Sequence, residues 1–88
     1  METVVVERFL DQPLDMQLLK DNRERIMACM QAHNVRLLHS YIAPDSRRMI
    51  CVYEAPDTES VRIALRQHGL LSFENAWKAQ IYRPGDEA

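Results

Sequence analysis

Eighty-eight residues are enough for one domain with one core and too few for two. A content of 47% hydrophobic and 27% charged residues is an ordinary globular balance and excludes a disordered chain. The formal charge of −2 gives no general attraction to nucleic acid or to an anionic membrane, so neither is an expected partner.

The first element is Thr3 to Phe9, β-branched and apolar, long enough for a buried central strand. Asp11-Gln12-Pro13 breaks it, and Pro13 and Asp15 suit the first turn of a helix. Met16, Leu19, Arg23, Ile26, Met27 and Met30 then recur at helical spacing, and Asn34 suits the left-handed residue that ends the helix. Val35 to Ile42 and Arg47 to Glu54 read as strands around the turn Ala43-Pro44-Asp45-Ser46. Pro56-Asp57 opens a second helix with Asp57 as N-cap. Val61, Ala64, Leu65 and His68 lie on one side of it, and Gly69 ends it. Ala76 to Arg83 reads as a last strand. The domain is expected to span residues 1–84, with 85–88 as a flexible tail.

The order βαββαβ predicts a ferredoxin-like α+β fold, a four-stranded antiparallel sheet with two helices on one face. Right-handed crossovers place the first and third strands in the centre. Val4 and Val6, with Leu38, Ile42, Ile50 and Val52, are assigned to the helix side. Val5, Glu7 and Phe9 then share the open face with Leu37, His39, Tyr41, Met49, Cys51 and Tyr53. That face is too apolar to be left wet, so a covering partner is expected.

Centring the hairpin near Asp45 sets Tyr41 opposite Met49, His39 opposite Cys51 and Leu37 opposite Tyr53. Directly opposed residues have Cβ atoms roughly 5 Å apart, within joint reach of one ion. Imidazole, thiolate and carboxylate suit nickel, zinc or copper, so Glu7, His39 and Cys51 are the candidate ligands. Tyr41 and Tyr53 are their neighbours. The plainer reading is a half-buried His bonded to a carboxylate or tyrosine beside a packed Cys. His33 and His68, each in the last turn of its helix, complement the helix dipole without a ligand role. Arg23 is expected at the core margin with its stem packed, or paired with Glu54 or a partner chain.

Cys29 and Cys51 lie far apart without CxxC spacing, no apolar run is long enough to cross a bilayer, and the N-terminus lacks signal-peptide character. A cytoplasmic chain with reduced thiols is the simplest expectation. Catalysis has little support. No nucleophile stands with a base and an orienting acid, and two glycines leave no phosphate loop.

The segments Val6-Glu7-Arg8, His39-Ser40-Tyr41-Ile42 and Cys51-Val52-Tyr53-Glu54-Ala55-Pro56 resemble a family of small bacterial proteins of unknown function whose best-known member is an actinomycete nickel-binding protein. The similarity runs from about Val4 to Pro84. It implies a ferredoxin-like homodimer and nickel or another divalent transition metal as ligand. The chain departs from the family pattern at Ala64, where a His is common, at Leu71, often Pro, and at Trp77, where an acidic residue is usual. Two functional expectations follow: a metal site on the open face of a homodimer, or a metal-free interaction module using that same face. A small-molecule enzyme stands third.

Overall fold

Four antiparallel strands lie in the order β2-β3-β1-β4 in a computed structural model that describes residues 1–86. The elements are β1 (Glu2–Phe9), α1 (Met16–Asp21), α2 (Arg23–Ala32), β2 (Arg36–Ile42), β3 (Arg48–Ala55), α3 (Thr58–His68) and β4 (Asn75–Ala79). The expected βαββαβ order and central β1 and β3 are both present, with the first helix in two pieces. No described helix is long and apolar enough to cross a membrane.

Asp15 starts α1 by accepting from the backbone N–H groups of Gln17 and Leu18. The helix breaks at Asn22, whose side-chain amide donates to the Leu18 carbonyl at 2.8 Å, beside its own backbone N–H at 3.2 Å. A short polar side chain competing for the same acceptor diverts the backbone, and α2 restarts from the Asn22 carbonyl. Asn34 ends α2 in the left-handed region, φ 57°, as its identity predicts. Asp57 caps α3 by accepting from Ser60 N–H at 2.7 Å, a bond that holds its carboxyl below the usual range. Gly69, φ 62°, closes that helix.

The core lies between α3 and the two central strands. Val4, Val6, Ala55, Val61 and Ala64 are wholly excluded from solvent, and Leu65 nearly so. At Ala64 there is no room for a longer side chain without repacking. β4 stops at Ala79 rather than at Arg83, because Ala79 already faces Thr3 and β1 begins one residue earlier, at Glu2. Arg83 and Asp86 close a turn with two bonds, at 2.9 and 3.1 Å, over part of the expected tail. Residues 87 and 88 lie outside the described residues.

The hairpin differs from the predicted register, and this moves the site. The Ala43 N–H bonds the Arg48 carbonyl at 2.9 Å, and Ser46 takes φ 58°. The loop is therefore centred half a residue later than Asp45. Ile42 faces Met49, Tyr41 faces Ile50, Ser40 faces Cys51, and His39 faces Val52. A bulge at Leu38 absorbs the offset, so that Leu37 faces Tyr53 as predicted. On β1, Val4, Val6 and Arg8 pair with Tyr53, Cys51 and Met49. The assignment of β3 is thereby inverted: Met49, Cys51 and Tyr53 face the helices, while Ile50 and Val52 face the open side.

Candidate functional site

On the open face, Glu7, Ile50 and Tyr41 form one row across β1, β3 and β2, and Val5, Val52 and His39 form the next. His39 and Tyr41 stand edge to face with ring centroids 5.3 Å apart. Trp77 on β4 pairs with Val5, and its indole N–H donates to Glu7 Oε1 at 2.9 Å. Arg48 stacks over Phe9 at 5.3 Å from the ring centroid. Glu7 and His39 thus share a face, on strands separated by β3 and in different rows. Glu7 is already engaged by Trp77.

Cys51 lies on the opposite side of the sheet from both. It is buried, and its sulfur accepts from Ser40 Oγ at 3.2 Å and from Arg8 Nη1 at 3.3 Å. The expected constellation of Glu7, His39 and Cys51 therefore does not assemble within one protomer. Among the described residues, no three His, Cys, Asp or Glu side chains form a group able to hold a metal ion. The physical reason is parity: a one-residue shift in pairing sends a side chain through to the other face.

What surrounds Cys51 is a different cluster. Arg8 is 2% exposed, Tyr53 3% and His68 4%. Burial pushes the Tyr53 phenol up to about 12, against the pull of Arg8, so it is a neutral hydroxyl at neutral pH. His68 accepts from the Leu70 N–H through Nδ1 at 3.2 Å, which leaves the proton of the neutral ring on Nε2. Burial, then the charges of Arg8 and Arg25, lower its pKa, so it does not act as the cationic dipole partner predicted from its position.

This cluster forms the base of a groove. α2 packs on α3, and α3 packs on β1, β3 and β4, whereas β2 has no buried residue on either face. Between α1–α2 and β2 lies a groove of about 880 Å³, walled by side chains such as Leu19, Ile26, Leu37 and Ile42. Arg23 stands at its lip, exposed, rather than with Glu54, which pairs with Arg36 at 3.1 Å. Arg8 is the residue that sequence reasoning passed over. Its signal was the alternation of β1, since Arg8 follows Val4 and Val6 on the helix side.

A four-stranded antiparallel sheet in this order, with all helices on one face, defines a ferredoxin-like α+β domain. Residues 4–74 match the family model described as nickel responsive protein SCO4226-like, and the chain belongs to that family. Among solved structures it is similar to SCO4226 from Streptomyces coelicolor A3(2). The TM-score is 0.74 at 15% identity, covering 92% of this chain and 99% of that one, a likeness in fold. No curated protein matches the sequence.

Proposed function

We propose that the chain is a homodimeric binding module whose open sheet face is the surface joining two copies. The observation that carries this reading is the composition of that face. Phe9 is 49% exposed, Tyr41 64% and Trp77 46%, all on one sheet surface around Val5, Ile50 and Val52. Exposed aromatic side chains around aliphatic ones are what an interface centre uses, and a chain this small gains most by covering them. The same face presents Glu7 and Arg48, so two copies related by a twofold axis can set opposite charges against each other.

A second reading has its own support. The family is described as nickel responsive, and His39 is an exposed imidazole on the proposed dimer surface. Pairing two copies brings in a second His39 and a second Glu7, the donors that one protomer lacks. In this form nickel, or another divalent transition metal, is held between subunits rather than within one, and Cys51 is not a ligand.

Sedimentation of the untagged protein, with chelator and with added nickel, tests both. A dimer in chelator that falls to monomer in Trp77→Ala is the expected result. A wild-type monomer under both conditions would sink the module reading. Nickel retained in proportion to dimer and lost in His39→Ala would support the shared-metal form, and retention unchanged in that variant would remove His39 from it.

A further inference from the structure

Arg8 presents a problem of charge. A guanidinium cannot shed its proton at physiological pH, so an arginine buried this deeply needs an anion or a full set of acceptors. Among the described residues it has neither. Nη1 reaches the Cys51 sulfur, a weak acceptor, and Nε has no hydrogen-bond partner among the described residues. No Asp or Glu lines the groove among its described residues, although the chain as a whole has more acidic than basic groups. The acids closest to basic residues are engaged elsewhere, Glu54 with Arg36 and Glu59 with Arg62 and Arg66. Leaving a charged donor buried and unpaired is costly, and such a group persists where something outside the folded chain completes it.

The groove shows what would complete it. Its base carries the fixed positive charge of Arg8, the Tyr53 and Ser40 hydroxyls and the neutral imidazole of His68, while the rest of its lining is mostly apolar, with Arg23, Gln31 and Arg36 as the polar members. Its volume of about 880 Å³ lies within the range of roughly 300–1,000 Å³ usual for small-molecule sites. Few polar groups at the base of an apolar cleft fix a ligand's head and leave its body to the walls. β2, the strand forming one wall, is exposed except at the half-buried Ser40, so the groove is open to entry from solvent.

We infer that this groove, on the helix side of the sheet, binds a small amphipathic carboxylate. The anionic head sits on the Arg8 guanidinium, beside Tyr53 and Ser40, and the apolar body lies between α2 and β2 against Ile26, Leu37 and Ile42. A carboxylate matches the donor fork of a guanidinium, and because Arg8 is 2% exposed with its Nε sealed from solvent, the head reaches it only as the side chains over it shift aside. The site is distinct from the open-face surface, and either can fail without the other.

The test uses octanoate as probe, with acetate as head alone and octanol as body alone, in calorimetric titrations of the full chain. Backbone amide shifts locate the binding. Octanoate is expected to bind and to move Leu37, Ser40, Ile42 and Cys51 while leaving Trp77 in place. Acetate and octanol should each bind roughly tenfold more weakly or worse, since each lacks one half of the interaction. Arg8→Met should abolish the preference for octanoate over octanol. Because that change is in the core, Ile42→Asn on the exposed edge strand supplies a second variant, expected to weaken octanoate by roughly fivefold through lost apolar contact. No octanoate binding up to millimolar concentration would overturn the inference. So would octanol binding as tightly as octanoate, or shifts confined to the open face.

Discussion

The two faces of the sheet are built from the same strands and do different things with them. The helix-side face buries Val4, Val6, Met49 and Ala55 and places beside them an arginine, a cysteine, a tyrosine and a histidine that exclude water almost completely. The open face keeps its aliphatic residues partly covered and holds its polar and aromatic groups at the surface, among them Glu7, His39, Tyr41 and Trp77. A polar group costs little on the second face because water satisfies it. On the first it must be satisfied by the protein or by a ligand. The contrast underlies the two proposals made above, association of chains on the open face and capture of a small anion on the buried one.

The largest expected effect separates the faces by stability. Leu65→Ala, on α3 over the central strands, removes a side chain that is 1% exposed and should cost about 2–5 kcal/mol of unfolding free energy. Tyr41→Ala, 64% exposed, should change it by no more than about 0.5 kcal/mol in dilute protein. Denaturant titration of the two variants checks this, and a comparable loss in both would erase the distinction between the faces.

A smaller effect concerns pH. His68 has a lowered pKa in the folded state, so the unfolded chain takes up its proton first as pH falls. Stability is therefore full above about 6.5, the ordinary value for this group, and declines as pH drops below it. The Asp57 cap has a depressed carboxyl pKa, and its contribution is lost only in a separate window, below about 3.8. His68→Gln should remove the upper decline and leave the lower one. An unchanged decline in that variant would place the responsible group elsewhere.

Most of the fold was legible because its signals are local. Asp15, Asp57, Asn34 and Gly69 mark helix ends by their own chemistry, and the β-branched run at Val4 to Val6 marks a central strand. Family membership was legible from the His39 and Cys51 segments. The ligand set was not. It depended on which face Cys51 takes, and that depended on a hairpin loop closing between Ala43 and Arg48 and on a bulge at Leu38. Neither feature has a strong residue signature here, since no glycine marks the loop or the bulge. The single break at Asn22 was hidden for a similar reason: the apolar spacing continues across it, and the interruption comes from a side-chain hydrogen bond. The groove follows from how far the helices stand from β2, which no periodicity in either element encodes.

If Arg8 is held for a ligand at some cost to the fold, chemical unfolding of the wild type and of Arg8→Met, each with and without octanoate, will show it. Replacing a buried, incompletely paired charge by an apolar side chain of similar length should leave the ligand-free protein as stable as the wild type or more so. Octanoate should then raise the midpoint of the wild type and leave that of the variant in place. A variant that unfolds far more readily without ligand, or midpoints that rise equally in both proteins, would show that Arg8 serves the structure and not a ligand.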